Sequence, residues 1–114
     1  MGTNKDINAA IDEFTKDIRK ILGDKLNQLI LYGSYARGDN TPESDVDILL
    51  LVDMSEEEIT DIFNEISDCA YEFLLNQEID ITPVIVNTNR FNYWNDTLPF
   101  YRNIKNEGVL LYAW

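Results

Sequence analysis

Two long segments of the chain place an apolar residue every three or four positions, which is the spacing of an amphipathic helix. The first covers residues 7–22 and stops at Gly23, and Thr3 or Asn4 is its expected cap. The second follows a capping box that begins at Ser55. The apolar positions of this second helix are Ile59, Ile62, Phe63, Ile66, Ala70, Phe73 and Leu74.

Three shorter stretches have the pattern of strands. The run Gln28–Tyr32 is mostly apolar and ends at Gly33, as a buried strand does. The second stretch, Asp45–Val52, alternates between two faces, so that its two acidic residues share one of them. The third is Ile79–Val86, in which Pro83 cannot donate a backbone hydrogen bond and therefore predicts an edge strand or irregular pairing.

The last part of the chain carries weaker signals. Pro99 suits the first turn of a helix that continues to about Glu107, where Gly108 would end it, and Val109–Tyr112 has the composition of a last short strand. Three aromatic residues nearby are expected to close the core rather than to stack on a nucleotide base. They are Tyr93, Trp94 and Trp114.

These elements predict one mixed α/β domain over residues 1–114, with a mixed sheet of about three to five strands flanked by helices. A length of 114 residues suits a single domain, and the chain has no internal repeat, low-complexity tract or linker-like stretch. Its one cysteine, Cys69, cannot form an internal disulfide. The N-terminal residues lack the apolar core of a signal peptide, and no apolar run is long enough for a membrane helix, so we expect a cytoplasmic protein.

The charge of the chain narrows the choice of partners. Nine basic and 21 acidic residues, with no histidine, give a net charge of −12. Because nucleic acid is itself strongly negative, binding to a long phosphate backbone is not expected. A small phosphorylated substrate remains compatible with this charge if divalent cations screen the repulsion, and a basic protein partner would be attracted directly.

The first chemical feature is a turn at Gly33 and Ser34, directly after the first predicted strand. Gly33 allows a tight turn, and the residues after it can begin a helix whose free N–H groups, with the Ser34 hydroxyl, could hold phosphate oxygens. Arg37 is close enough in sequence to add a positive charge there, although pairing with Asp39 or Glu43 is an alternative. A Gly-Ser pair alone is a common turn, so it predicts little without the residues that follow it.

The second chemical feature is a set of three aspartates. Asp45 and Asp47 lie two residues apart on a strand, so their carboxylates point the same way from Cα atoms roughly 6.6 Å apart. Two such charges about 4 Å apart repel by roughly 1 kcal/mol in water and about 4 kcal/mol at an effective dielectric of 20, a conflict that Mg²⁺ would resolve. Asp80 interrupts the third strand, where Ile, Val or Thr would pack better. If that strand lies beside the second, Asp80 completes a metal-binding triad that could also accept a proton; a solvated strand end or an edge residue is the alternative.

Other catalytic patterns are absent from the sequence. There is no Gly-x-x-x-x-Gly-Lys-Ser/Thr loop and no Gly-x-Gly-x-x-Gly, and the segment from Asp45 to Leu49 departs from a calcium loop at its third ligand and its glycine. Without histidine, acid–base work falls to carboxylates and metal-bound water, which suits phosphoryl transfer better than acyl transfer.

The Gly-Ser turn, followed after ten residues by the Asp45-x-Asp47 pair and later by Asp80, resembles the minimal nucleotidyltransferase domains of the polymerase-beta superfamily. The resemblance covers nearly the whole chain, including both long helices and the ending EGVLLY. By position, it implies that the turn and Arg37 bind a nucleoside triphosphate and that the three aspartates bind two Mg²⁺ ions. It also implies that Asp80 helps to activate the acceptor.

Members of this group are typically antitoxins paired with a HEPN-domain ribonuclease toxin, and some transfer AMP from ATP to a tyrosine of that toxin. The resemblance therefore implies a protein adenylyltransferase with ATP as substrate and a HEPN-type toxin as acceptor. Two alternatives stay open, namely a dimeric enzyme that modifies a small molecule such as an antibiotic, and a non-catalytic antitoxin that neutralises a basic partner by contact alone. The sequence does not decide whether the chain assembles with itself or with another protein.

Overall fold

The structure, a computed structural model, describes residues 6–113 and contains four strands and five α-helices in that range. In chain order they are α1 (Ile7–Leu22), β1 (Leu26–Tyr32), α2 (Ser34–Arg37), β2 (Val46–Val52), α3 (Glu56–Gln77), β3 (Ile81–Asn87), α4 (Thr88–Trp94), α5 (Pro99–Glu107) and β4 (Val109–Ala113). A short 3₁₀ turn over Gly23–Lys25 joins α1 to β1.

The four strands form one mixed sheet in the order β3-β2-β1-β4. β1 pairs antiparallel with both β2 and β4, whereas β2 and β3 are parallel. The predicted mixed α/β class is therefore confirmed, with a four-stranded sheet flanked by helices. β3 lies at an edge, as Pro83 predicted, and its register with β2 continues unshifted through Pro83, so the proline causes no irregular pairing.

Two strand boundaries differ from the sequence prediction at the acidic residues. β2 begins at Val46 and β3 at Ile81, so Asp45 and Asp80 each lie one residue before a strand rather than within it. Both aspartates are exposed. A charged residue is tolerated at this place because the end of a strand reaches solvent, whereas its middle is covered by helices.

β2 is buried on both faces, which explains its nearly continuous apolar sequence. One face packs against α1 and α3, and the other packs against α4 and α5. Asp47 lies on the second face and stays partly exposed, because it is near the end of the strand. The alternation predicted for β2 is confirmed, with Val46, Ile48, Leu50 and Val52 on the first face and Leu49 and Leu51 on the second.

The ends of the two long helices follow from their capping residues. The Asp6 side chain caps α1 by accepting from a backbone N–H of its first turn at 3.0 Å; the caps expected from sequence, Thr3 and Asn4, lie outside the described residues. The capping box of α3 is confirmed, since Ser55 Oγ accepts from the Glu58 N–H at 3.1 Å and Glu58 Oε1 accepts from the Ser55 N–H at 3.0 Å. None of the helices within residues 6–113 is long and apolar enough to cross a membrane.

The prediction that late aromatic residues close the core is wrong for two of them. Tyr93 is 75% exposed and Trp94 is 38% exposed, and their rings contact each other with centroids 4.7 Å apart. α4 buries Phe91 against the sheet, and a residue two positions later points to the opposite side of a helix, so Tyr93 faces solvent. Trp114 lies outside the described residues. The predictions for α5 and β4 are confirmed in position.

β4 forms the second edge of the sheet and, in the described part of the chain, pairs only with β1. Leu29 lies opposite Tyr112 and Ile30 lies opposite Leu110, so Leu111 is the extra residue of a β-bulge. The outer side of this strand is therefore short and irregular.

Leu50→Ala should lower the free energy of unfolding by about 2–5 kcal/mol, because this change leaves a cavity in the core. Leu50 is 0% exposed in the central strand β2. Leu75→Ala, the same change at a side chain that is 64% exposed on α3, should alter the free energy by less than about 0.5 kcal/mol. Urea unfolding followed by circular dichroism measures both values. Losses of similar size would contradict the burial of β2.

Candidate active site

The Gly-Ser turn connects β1 to the four-residue helix α2 at one end of the sheet. Gly33 has φ 77° and ψ −154°, a conformation that L side chains rarely adopt. Its carbonyl accepts from the N–H groups of Ala36 and Arg37 at 3.1 Å each. The N–H groups of Ser34 and Tyr35 are the first of the helix and have no intrahelical acceptor. Tyr35 and Ala36 pack against the core formed with α1 and α3, which holds the turn in place.

The three aspartates lie at the same end of the sheet as the turn. Because β2 and β3 are parallel and Val46 lies opposite Ile81, the residues before these strands are neighbours, and the Val46 N–H donates to the Asp80 carbonyl at 2.8 Å. The Asp45 carboxyl group is close enough to Asp80 to raise the pKa of Asp80. The structure thus places Asp80 beside Asp45 and near Asp47. Their catalytic and metal-binding roles stay a prediction.

Asp47 is held through both of its carboxylate oxygens. Its Oδ1 accepts from the Thr82 hydroxyl at 2.7 Å. Its Oδ2 lies so close to Gly33 that a Cβ on that residue would overlap with it. The pairing of β1 with β2 sets this contact, since Tyr32, which precedes the glycine, lies opposite Asp47. Gly33 is therefore required for its backbone conformation and also for the close approach of Asp47.

Tyr32, the residue of β1 that pairs with Asp47, adds a neutral hydroxyl group to the same face of the sheet. Burial raises the pKa of Tyr32 to about 12, and the charge of Asp47 contributes to the rise. At neutral pH the Tyr32 hydroxyl can donate a hydrogen bond but cannot act as a base. Its ring contacts Phe100 of α5 edge-on, with centroids 5.6 Å apart.

Repulsion among the carboxylates acts on Asp80. Desolvation raises the pKa of Asp80 above its ordinary value, and the charge of Asp45, a hydrogen bond to Asp45 and the charge of Asp47 raise it further. Because the side chain is exposed, solvent weakens this effect. A cation would remove the repulsion, and carboxylate oxygens are ligands that Mg²⁺ prefers. Within residues 6–113, no three acidic groups are already arranged so that they could hold one ion. The carboxylate oxygens are therefore suitable ligands for magnesium, but they do not form a preorganised coordination site.

Arg37 ends α2 beside the turn, but its guanidinium contacts acidic side chains. Its Nε donates to Asp39 Oδ2 at 3.2 Å, which is one of the pairings that the sequence left open, and its Nη1 is 3.8 Å from Glu107 Oε1. About half of the Arg37 side chain is exposed, so these ion pairs are weak and can exchange for another anion. Its contact with a nucleotide stays a prediction.

A comparison with protein families decides which kind of domain this geometry belongs to. The family model described as nucleotidyltransferase domain matches residues 11–111. The chain belongs to this nucleotidyltransferase family. The matched range includes the Gly-Ser turn and all three aspartates.

Two proteins of Methanocaldococcus jannaschii, both named "putative protein adenylyltransferase", are similar to this nucleotidyltransferase domain in sequence. One is 34% identical over 106 residues, which cover 90% of this chain and 95% of the relative. The other is 48% identical over 75 residues, which cover 66% of this chain and 74% of the relative.

Three solved structures share the fold of this nucleotidyltransferase domain. A "putative nucleotidyltransferase" from Sulfolobus solfataricus gives a TM-score of 0.57 at 19% identity, over 98% of this chain and 90% of that one. A toxin–antitoxin structure with AMP-PNP gives 0.55 at 17% identity, over 90% and 73% of the two chains. A mutant of the toxin–antitoxin MntA-HpeT gives 0.53 at 19% identity, over 99% and 75%. At such identities the likeness shows a shared fold.

Two side chains beside the candidate active site are positioned by tertiary contacts, namely Thr82 and Phe100. Alternation along β3 places Thr82 on the same face as Asp80, which is a signal that it belongs near the site, but its bond to Asp47 requires the register between β2 and β3. Phe100 reaches Tyr32 because α5 packs on the sheet, and helical periodicity does not name the partner of a helix. Sequence reasoning therefore missed both contacts.

Gly33→Ala should destabilise the nucleotidyltransferase domain more than Gly23→Ala. The two glycines have similar backbone angles, with φ and ψ of 77° and −154° at Gly33 and 54° and −129° at Gly23. Both substitutions should therefore carry strain of about 1–3 kcal/mol. Only at Gly33 would the new Cβ also displace Asp47, because nothing lies within 4 Å of the corresponding position at Gly23. Equal losses in urea unfolding would contradict the contact between Gly33 and Asp47.

Without metal, Asp80→Asn should make the domain more stable at neutral pH. Because its pKa is raised on folding, Asp80 binds a proton more tightly in the folded protein than in the unfolded chain. Stability should therefore fall as the pH rises from the unfolded pKa, roughly 3.9, through the folded one. The asparagine variant lacks this fall, and its advantage should shrink toward acid pH.

Thermal unfolding in a chelator across this pH range measures the effect of Asp80→Asn. Asp61→Asn, at an exposed position of α3, is the matched control. An Asp80 variant with no advantage over this control at neutral pH would show that the three carboxylates do not repel one another in the folded protein.

Proposed function

We propose that the chain is a magnesium-dependent nucleotidyltransferase that transfers AMP from ATP to a hydroxyl group of a partner protein. The observation that carries this proposal is the meeting of Asp45, Asp47 and Asp80 at the sheet end that also holds the Gly-Ser turn. A group of carboxylates that attracts divalent cations, beside free N–H groups, suits phosphoryl transfer. Family membership supports the reaction type, and the names of the two M. jannaschii relatives support a protein acceptor.

In this proposal the Gly-Ser turn binds the triphosphate. The first N–H groups of α2 and the Ser34 hydroxyl donate to phosphate oxygens, and the backbone conformation of Gly33 holds the turn that presents them. Arg37 exchanges its exposed pairing with Asp39 for a phosphate oxygen, because the triphosphate carries more negative charge than a single carboxylate does.

The three aspartates hold the metal and supply the base. Mg²⁺ bound there, as two ions, would offset the charge of the phosphates and stabilise the attacking and leaving oxygens. Thr82 and Gly33 orient Asp47 toward the turn, so that its carboxylate keeps one position. Asp80, the carboxylate that comes directly before the neighbouring strand, takes the proton of the acceptor.

The reaction that we propose is an in-line displacement at the α-phosphate. The oxygen of the acceptor hydroxyl forms a bond to the α-phosphorus, and the bond from that phosphorus to the oxygen bridging to the β-phosphate breaks. Pyrophosphate leaves with the electrons of the broken bond. The proton of the acceptor hydroxyl passes to the carboxylate of Asp80.

The acceptor that we propose is a tyrosine of a HEPN-type ribonuclease toxin, for which residues 1–114 act as a single-domain antitoxin in the cytoplasm. Toxin–antitoxin structures share the fold, and one of them is with AMP-PNP, which supports ATP as the substrate. The net charge of −12 favours a basic protein partner over a long nucleic acid.

With Mg²⁺ and ATP, the purified chain should add AMP to the HEPN-type toxin that we propose as its partner and inhibit that toxin. Mass spectrometry of the intact toxin measures the added mass. Asp45→Asn and Asp47→Asn should each slow transfer at least about a hundredfold, because losing a metal ligand removes several kcal/mol of transition-state stabilisation. Asp53→Asn, directly after the opposite end of β2, should transfer AMP at the wild-type rate.

Two results would contradict this proposal. If no AMP mass appears on the toxin while Asp45→Asn and Asp47→Asn neutralise it as well as the wild type does, the chain is a non-catalytic antitoxin that acts by contact. If pyrophosphate is released with aminoglycosides and not with the toxin, the acceptor is a small molecule.

A further inference from the structure

A cavity of about 220 Å³ lies between the end of β1 and α5, next to the candidate active site. Gly33 forms part of its wall, so the cavity opens directly beside the turn that we assign to the phosphates. Whole small-molecule sites are usually about 300–1,000 Å³. This cavity therefore has room for one ring system of a ligand whose remaining part lies outside.

One face of α5 shapes this cavity. Phe100, Asn103, Ile104 and Glu107 follow one another at helical spacing and all line it. Ile104 is 2% exposed and packs into the core on the second face of the sheet, which fixes the rotation of the helix. This anchoring keeps Phe100 and Asn103 at the cavity wall.

Phe100 offers an aromatic surface that the protein does not use fully. Its ring contacts Tyr32 edge-on, yet 46% of the residue is exposed. The exposure of a phenylalanine ring to water is unfavourable, and stacking of another planar ring on it lowers the free energy by burying this apolar surface. Stacking of a nucleobase on an aromatic side chain is worth about 1–3 kcal/mol and accepts any base. Phe100 therefore suits binding of a base without choosing among bases.

Asn103 supplies a polar group that can discriminate between nucleobases. Its side chain is exposed and makes no hydrogen bond with another group among residues 6–113. An asparagine amide presents one acceptor and two donors. Adenine presents the complementary pair, a donor at N6 and an acceptor at N7, which asparagine binds with two hydrogen bonds. On that same side guanine presents two acceptors, O6 and N7, and on another side it presents two donors, N1–H and N2–H₂.

We infer that this cavity holds the base of the nucleotide, that Phe100 stacks on it and that Asn103 selects adenine. The inference rests on the proposed function, because it assigns the base of the same nucleotide whose phosphates lie at the Gly-Ser turn. An acceptor side chain in this cavity is the competing occupant. The adjacency to Gly33 and the unused amide of Asn103 favour the base.

Calorimetric titration with the Mg²⁺ complexes of ATP, GTP, CTP and UTP tests this inference. The wild-type chain should bind ATP about tenfold or more tightly than GTP, since one two-bond contact discriminates to that extent. Asn103→Asp replaces the amide by an acceptor-only carboxylate, which suits the two donors of guanine. The ATP-to-GTP affinity ratio should therefore fall about tenfold or more, whatever the added charge does to both affinities.

Two further variants complete the experiment. Asn106→Asp adds the same charge to α5 outside the cavity lining and should leave the ATP-to-GTP ratio unchanged. Phe100→Ala should weaken the binding of all four nucleotides about fivefold or more without changing their order. Both changes are at exposed positions, and the urea midpoint of each variant shows that it is folded.

The possible outcomes separate this inference from the function on which it rests. If the wild-type chain binds no Mg²⁺–nucleotide, the proposed function fails and the inference fails with it. If the wild-type chain binds nucleotides while Asn103→Asp leaves the ATP-to-GTP ratio unchanged, only the inference is overturned. If Asn103→Asp and Phe100→Ala leave the nucleotide affinities unchanged but raise the KM for the toxin, the inference is also overturned and the cavity is assigned to the acceptor.

Discussion

The parallel pairing of β2 with β3 is the constraint on which the candidate site depends. In a sheet whose other pairs are antiparallel, it places the starts of these two strands side by side, and Asp45 and Asp80 come directly before them. A parallel pair needs a long crossover, which α3 provides with 22 residues. The Val46 N–H bond to the Asp80 carbonyl closes the pairing at its first residue. Residues that are far apart in sequence thereby become one acidic group.

Local patterns predicted the elements and the residue types of the site, whereas contacts between elements decided the rest. The alternation in β2, the capping box at Ser55 and the edge position of Pro83 each follow from chemistry within a few residues, and the structure confirms them. The bond from Thr82 to Asp47 and the packing of Phe100 on Tyr32 depend on register and helix docking, which no single segment encodes. Alternation along β2 placed Asp45 and Asp47 together, and the addition of Asp80 depended on β3 lying beside β2, an arrangement that the structure confirms.

The acidic group opposes folding, and its surroundings show how the domain tolerates it. Asp45 and Asp80 are exposed, so water screens their repulsion, and the strands that carry them are covered on both faces a few residues further along. The apolar burial of β2 thus stabilises the arrangement that its first residues destabilise. Because the acidic residues lie at the start of β2 and the buried apolar residues lie further along it, a small domain can keep an electrostatically unfavourable site.

The bulge at Leu111 has a consequence for how these molecules behave at high concentration. A straight, apolar outer strand exposes a regular row of backbone donors and acceptors on which further chains can add, and this is how many fibres start. In β4 the extra residue breaks that row in the middle of a five-residue strand. An approaching chain finds few aligned partners along β4, so extension of the sheet at this edge is disfavoured by geometry as well as by the mutual repulsion of the charged molecules.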